Sequence, residues 1–225
     1  MAKLIGTNPN QVPTNADLGS MAYQDANNAK IGGLAYPSSD GTNGQVLTTN
    51  GSGTLSFVDA ASGGVTLLDT QTCSGSVLTF TLPTTGYAYF KLTFHGVVGS
   101  QNSEQLRIKV YGTTGNYLFQ MKNLYNGTDQ TYTSTGDSAG VLISYSQLNS
   151  NTAGCSGEFL IFESATAGVP AYGTYSSSYT DDNGNLSFSR GGWKTANNEV
   201  QTSIEVRYSG GNPNSGTVRL YGITA

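Results

Sequence analysis

Apolar and polar residues alternate along short runs from Val65 to the end of the chain, and each run closes on Gly, Asn, Ser or Asp. In one run, Ile204, Val206 and Tyr208 point to one face of an extended strand, and the polar residues between them point to the other. The pattern predicts strands at residues 65–69, 77–82, 88–97, 105–111, 117–124, 140–144, 157–162, 171–179, 186–190, 199–208 and 216–223. Because no helical period separates these runs, we expect an all-β, antiparallel, jelly-roll-like sandwich.

Residues 1–64 show no sustained apolar period and are rich in Asn, Gly, Ser, Thr and Ala. Such a segment cannot bury a core of its own, so we expect other chains to hold it. Within it, runs 45–49 and 54–58 flank a polar turn at 50–53, which predicts a compact hairpin. The pattern divides the chain into an extended arm (1–35), a short hairpin linker (36–64) and a sandwich head (65–225).

Composition narrows the possible functions. Charged residues make up 11% of the chain and glycine 30 of its 225 residues, which favours strands and turns over long surface helices. The net charge is -4, so we expect no nucleic-acid binding. No stretch approaches the roughly 18 apolar residues of a membrane span, and the N-terminus lacks a signal-peptide core. We therefore expect a soluble protein made inside a cell.

No motif for enzymatic chemistry stands out. The single histidine, His95, is not accompanied by a G-x-S-x-G nucleophile motif, and no phosphate-binding loop occurs. Cys73 and Cys155 lack a C-x-x-C partner, so we expect two buried thiols. Glycine pairs such as Gly191–Gly192 are expected to form turns or bends. The sequence predicts a protein without cofactor, metal or catalytic residues.

Ligand-binding candidates come from aromatic and acidic side chains near turns. Trp193, Tyr132 and Tyr175 offer faces on which sugar rings stack, although tyrosine in strands also serves sheet packing or subunit contacts. Asp181 and Asp182 open a run of oxygen-bearing side chains like a calcium loop, but the later Gly and the closing Glu are missing. A hairpin turn explains the same residues, so no metal is predicted there.

Three parts of the chain resemble virion fibre proteins of tailed bacteriophages. Residues 5–25 look like the N-terminal segment that attaches such fibres to the particle, and residues 39–57 are similar to hairpin units of fibre shafts. Residues 86–94, 105–108 and 214–223 resemble a jelly-roll head domain. The resemblance implies that the attachment residues are Pro9, Asn10, Gln11, Val12, Pro13, Leu18, Met21 and Tyr23.

The resemblance also implies a function and a location. It indicates a non-enzymatic, homotrimeric virion fibre, made in the host cytoplasm, which binds tail, adaptor or capsid proteins through its arm and a host-surface glycan through its head. A capsid decoration or head-attached fibre protein that stabilises the particle is the first alternative. A polysaccharide-degrading enzyme with a carboxylate pair in a groove is the second.

Overall fold

The computed structural model describes residues 30–31, 33–60, 64–101, 104–111, 116–125, 127–145, 154–181 and 183–224. These residues form antiparallel β-sheets, and none of them lies in a helix, so the prediction of an all-β fold is confirmed. The chain divides into two compact units, residues 1–62 and 63–225. All the attachment residues inferred from the resemblance lie outside the described residues, as does Asp182.

The first unit is built around a short hairpin. Its strands are β1 (Lys30–Ile31), β2 (Leu34–Ala35), β3 (Gln45–Thr49) and β4 (Leu55–Asp59), and β3 pairs antiparallel with β4. The Asn50 side chain closes the turn by accepting hydrogen bonds from the backbone N–H groups of Ser52 (2.8 Å) and Thr54 (3.1 Å). The hairpin expected from the sequence is therefore confirmed, with its second strand one residue later than expected.

The second unit contains twelve strands within its described residues. They are β5 (Val65–Thr72), β6 (Leu78–Thr81), β7 (Tyr89–Gly99), β8 (Leu106–Tyr111), β9 (Tyr117–Tyr125), β10 (Thr128–Asp137), β11 (Val141–Leu142), β12 (Cys155–Phe162), β13 (Tyr172–Thr180), β14 (Leu186–Thr195), β15 (Ser203–Tyr208) and β16 (Pro213–Ile223). The sequence pattern located each of these strands except β10. That strand was missed because Thr, Ser and Gly occupy most of its positions and leave no apolar alternation.

Two antiparallel sheets enclose one core, an arrangement consistent with a β-sandwich. The larger sheet has the order β10-β9-β14-β13-β12-β7-β16-β5, and the smaller one β11-β8-β15-β6. Apolar side chains of both sheets form a single buried cluster. The Tyr208 hydroxyl on β15 donates to the Val97 carbonyl on β7 (3.0 Å), and the Tyr117 hydroxyl on β9 donates to the Val110 carbonyl on β8 (2.8 Å). These tyrosines tie the sheets together while satisfying their own buried hydroxyls.

Glycines make room for large aromatic rings on the inner face of the larger sheet. Gly173 lies directly across from Trp193, and Gly191 lies across from Tyr175. A Cβ atom at Gly173 would collide with the Leu160 carbonyl, so no larger residue fits there. The expectation that Gly191–Gly192 forms a turn is wrong, because both residues lie inside β14 and serve this packing.

Both cysteines are free and buried, as the sequence predicts. Burial raises the pKa of the Cys73 thiol to about 11 and that of the Cys155 thiol to about 12. Both thiols therefore stay protonated and behave as small apolar side chains of the core.

Candidate functional site

Trp193 and Tyr175, two of the aromatic candidates, belong to the core. Trp193 is 4% exposed, stacks on Phe159 with ring centroids 4.8 Å apart, and donates from Nε1 to the Leu160 carbonyl (3.2 Å). Tyr175 is equally buried, and burial raises the pKa of its hydroxyl. Neither ring faces solvent, so neither offers a surface on which a sugar could stack.

Tyr132, the third aromatic candidate, is half-buried on β10. Its ring stacks on Tyr145 with centroids 3.7 Å apart, and its hydroxyl donates to the Gln130 side chain (2.9 Å). The stacked partner occupies one face of the ring. Tyr132 therefore closes the edge of the core rather than standing free.

Asp181 organises the turn that joins β13 to β14. Its Oδ1 accepts from the backbone N–H groups of Asn183 (3.0 Å) and Asn185 (2.7 Å), and Gly184 adopts the left-handed backbone that the turn needs, with φ of 83°. Burial alone would raise the pKa of Asp181, but hydrogen bonds from Asn185, Tyr125 and Asn183 together hold it below its ordinary value. The Asp181 carboxylate is therefore occupied by hydrogen bonds within the turn. The described residues contain no cluster of His, Cys, Asp or Glu that could hold a metal ion.

The solvent-facing surface of the larger sheet, here called the outer face, carries half of the ten basic residues of the chain. Side chains alternate between faces along each strand, and the register places five of them outward: Lys91, Lys122, Arg190, Lys194 and Arg219. The outer face is therefore electropositive in a chain of net charge -4.

A trough runs along β14 on the outer face. Its centre is a groove of about 570 Å³ over Arg190, Gly191 and Gly192. The flanking strands line this groove with Gln120, Lys122, Glu158, Leu160, Thr174, Tyr175 and Ser176. Adjoining depressions of about 680 and 370 Å³ extend it toward Lys194 and toward Phe188. At about 3.3 Å per residue, the stretch from Phe188 to Lys194 spans roughly 20 Å.

Gly192 forms the floor of this trough. A Cβ atom built there would meet only the Gly173 carbonyl, at 3.8 Å, which is an ordinary contact. The missing side chain therefore leaves open space on the outer face. The neighbouring Gly191 differs, since its Cβ would point inward against the Gln120 carbonyl and the Tyr175 ring.

Two ion pairs occupy the carboxylates that border the trough. Lys91 Nζ lies 2.6 Å from Glu158 Oε2, and Lys122 Nζ lies 3.1 Å from Asp129 Oδ2. Within the described residues, the Arg190 guanidinium and the Lys194 ammonium have no ion pair. The trough therefore presents two cations that have no carboxylate within ion-pair distance among the described residues.

An apolar row crosses the outer face at one end of the sheet. Its members are consecutive cross-strand partners from β5 to β13: Val65, Ile223, Tyr89, Phe162 and Tyr172. The ring centroids of Tyr89 and Phe162 are 5.1 Å apart, and those of Phe162 and Tyr172 are 5.5 Å apart. Val65 is 61% exposed and Tyr172 47%. Ile223, next to Val65 in the row, is buried at 9% exposure, so the row is exposed mainly at its two ends; exposed apolar surface of this kind is typical of contact surfaces.

The outward face of the smaller sheet is different, because its two arginines are paired with carboxylates, Arg107 with Asp137 and Arg207 with Glu205. The Tyr111 hydroxyl donates to Glu205 (3.0 Å), and Lys109 Nζ lies 5.5 Å from the centroid of the Tyr111 ring. Burial, followed by the Glu205 carboxylate, raises the pKa of Tyr111 to about 12. Burial lowers the pKa of Lys109. This network leaves the outer face of the larger sheet as the candidate surface.

Comparison with known proteins gives no relative. No protein-family model matches the chain, and neither a curated protein nor a solved structure is significantly similar to it. Among the described residues, no helix is long and apolar enough to cross a membrane.

Sequence reasoning missed Arg190, Lys194 and Gly192 because it placed a turn at Gly191–Gly192. Alternation alone would not have placed them on the solvent side. The period of two puts Arg190, Gly192 and Lys194 on the same face as Leu186 and Phe188, two apolar residues that the pattern assigns to the core but that are 75% and 41% exposed in the structure.

Proposed function

We propose that this chain is a structural fibre protein of a tailed bacteriophage particle, anchored by an N-terminal arm and carrying an adhesive head that binds a host-surface glycan. The resemblance of residues 5–25 and 39–57 to fibre segments supports the virion assignment. The resemblance does not reach β14 and the strands beside it, so the geometry of the trough supports the adhesive surface.

The pairing of the strands supports a jelly-roll topology for the head. Without the hairpins β9–β10 and β13–β14, eight strands remain in chain order. The first of these eight strands is paired with the last (β5 with β16) and the second with the seventh (β6 with β15). The third is paired with the sixth (β7 with β12) and the fourth with the fifth (β8 with β11). A long hairpin folded into two sheets produces these pairs, which is the jelly-roll arrangement. The two hairpins set aside, β9–β10 and β13–β14, widen the larger sheet, and the trough lies on them.

Exposed apolar side chains in the hairpin unit carry the proposal of a homotrimer. Val46, Leu47 and Val58 are between 41% and 47% exposed, and none of residues 33–60 is buried. A short two-stranded unit with such a surface is at best marginally stable in water. Packing of identical hairpins around a fibre axis would bury these side chains. Packing of identical heads against one another would bury the apolar row in the same way.

Multivalent adhesion follows from such a trimer. Three identical heads on one fibre present three copies of each site. Linked sites raise avidity by a factor of about 10²–10⁴ when the geometry allows simultaneous binding. A glycan held at about millimolar strength by each head, which corresponds to roughly 4 kcal/mol, would then suffice for stable attachment.

The mass of the full chain in native mass spectrometry tests the assembly. We expect a species of three times 23.5 kDa that persists on dilution. A chain that stays monomeric at micromolar concentration would contradict the trimer.

Removal of residues 1–30 tests the anchoring. We expect the truncated protein to keep its sheet content, measured by circular dichroism, and to disappear from purified particles. Incorporation at the level of the full chain would contradict an anchoring role for the arm.

A further inference from the structure

We propose that the trough along β14 binds a linear acidic polysaccharide and seats one sugar carboxylate on Arg190. This inference rests on the proposed adhesive function and adds the site and the chemical class of the ligand. Three observations support it: an open groove, a guanidinium at its centre that has no ion pair among the described residues, and a lining that offers neutral hydrogen-bonding groups beside Lys122 and Glu158, which are paired with other side chains.

The chemistry of Arg190 selects a carboxylate. A guanidinium presents parallel N–H donors that match the two oxygens of a carboxylate, and such charge-assisted pairs are stronger than neutral hydrogen bonds. The side chain is exposed and makes no ion pair with any described residue, so no protein carboxylate has to be displaced. Glu158, which also borders the groove, is paired with Lys91.

The remaining lining suits sugar rings. Gln120, Thr174 and Ser176 supply amide and hydroxyl groups for hydrogen bonds to sugar hydroxyls. Leu160 in the groove and Phe188 at one end supply apolar surface for the carbon faces of the rings. A length of about 20 Å accommodates an extended chain rather than one compact molecule.

The spacing of the cations favours a sparsely charged polymer over nucleic acid. Arg190 and Lys194 are four residues apart on one strand, which is about 13 Å. Nucleic acid carries one phosphate per 3.4 Å of each strand, far denser than this pattern. A polysaccharide with a carboxylate on every second sugar fits the cation spacing better, and the negative net charge of the chain also disfavours nucleic acid.

The test is isothermal titration of the full-length protein with a short hyaluronan oligosaccharide, which alternates a uronic acid with a neutral amino sugar. A short oligosaccharide limits the contribution of multivalency to the measured affinity. A neutral dextran oligosaccharide and a single-stranded DNA oligonucleotide serve as comparison ligands. We expect the wild type to bind the hyaluronan oligosaccharide more tightly than either.

Three variants locate the site. Arg190→Gln should weaken binding about tenfold or more, as removal of a charged hydrogen-bond partner does. Gly192→Leu should abolish binding, because its side chain would extend into the groove from a Cβ atom whose one contact within 4 Å, the Gly173 carbonyl at 3.8 Å, is an ordinary one. Arg219→Gln is the matched control: it removes the same charge from the same face four strands away, about 19 Å, where salt screens its effect to within about twofold. All three variants should keep the circular dichroism and the native mass of the wild type.

Several results would overturn the inference. These are no binding of hyaluronan, equal losses in Arg190→Gln and Arg219→Gln, undiminished binding by folded Gly192→Leu, or DNA binding as tight as that of hyaluronan. None of them affects the tests of trimer mass and particle incorporation, which do not involve the trough. Failure of the ligand assignment is thus distinguishable from failure of the fibre assignment.

Discussion

Alanine should have opposite effects on stability at two adjacent positions of β14. Gly191→Ala places a methyl group on the inner face of the larger sheet, and Gly192→Ala places one in the trough on the outer face. The inward Cβ would overlap the Gln120 carbonyl and lie 2.9 Å from the Tyr175 hydroxyl, whereas the outward one has only the Gly173 carbonyl at 3.8 Å. The pair compares identical chemical changes on one strand.

The geometry sets the size of each effect. A clash with a flexible side chain would be relieved by rotation, but the Gln120 carbonyl belongs to β9, the strand paired with β14 at this position. We therefore expect Gly191→Ala to cost about 3 kcal/mol, at the upper end of the range for overpacking. Gly192→Ala should instead stabilise the protein by about 0.5–1 kcal/mol, because glycine in a strand loses more conformational entropy on folding than alanine.

Thermal unfolding at matched protein concentration measures both effects. At about 2–4 °C per kcal/mol for a chain of this size, Gly191→Ala should lower Tm by about 6–12 °C and Gly192→Ala should raise it by about 1–4 °C. Matched concentrations are needed because oligomerisation makes Tm concentration-dependent. A Gly191→Ala protein as stable as the wild type would refute the close packing of β14 on β9. A strongly destabilised Gly192→Ala protein would refute the open trough.

Three further predictions address the turn, the thiols and the apolar row. Asp181→Ala should cost about 1–3 kcal/mol at neutral pH, since it strips two backbone N–H groups of their acceptor. The pKa of Asp181 in the folded protein lies below its ordinary value of 3.8, so the stabilisation by its carboxylate is present above pH 3.8 and is lost as the pH falls through the folded pKa. The denaturant midpoints of the variant and the wild type should therefore converge in acid. A difference that stays constant with pH would argue against a role of the carboxylate. With pKa values raised to about 11 and 12, Cys73 and Cys155 should not react with Ellman's reagent near pH 8 until guanidinium unfolds the protein, and rapid labelling of the native chain would contradict their burial. Val65→Asp in the apolar row should shift the native mass from trimer to monomer. Leu186→Asp, which alters a more exposed residue outside the row, should leave the mass unchanged. An unchanged trimer in Val65→Asp would exclude the row from the subunit contact.

Most of the fold was predictable because alternating apolar residues mark a half-buried strand. The runs ending at Tyr208 and Ile223 show that period clearly, and both form strands where the sequence places them. The strand Thr128–Asp137 lacks the signal, since it is an edge strand without large apolar residues apart from Tyr132. Its place in the sheet depends on pairing with β9, a non-local contact that no local pattern reveals.

The candidate site was less predictable than the fold. Trp193 was selected for its residue type, but the face to which it points depends on whether β14 continues through Gly191–Gly192. In the structure the Tyr175 ring lies across the sheet from Gly191 and supplies the packing that this glycine lacks, a contact that the local sequence does not show. Arg190 is one charge among several in the sequence, and only the structure shows that it lies in a trough without an ion pair among the described residues.

The copy number of this protein in purified particles tests the central claim most directly. Quantitative mass spectrometry of virions against the major capsid protein should find the chain at a few per cent of the capsid subunits, as expected for fibres of closed cyclic symmetry on the tail. Absence of the chain from particles would contradict a virion fibre. A ratio near one chain per capsid subunit, or one trimer per capsomer, would contradict a tail fibre and identify a head decoration protein instead.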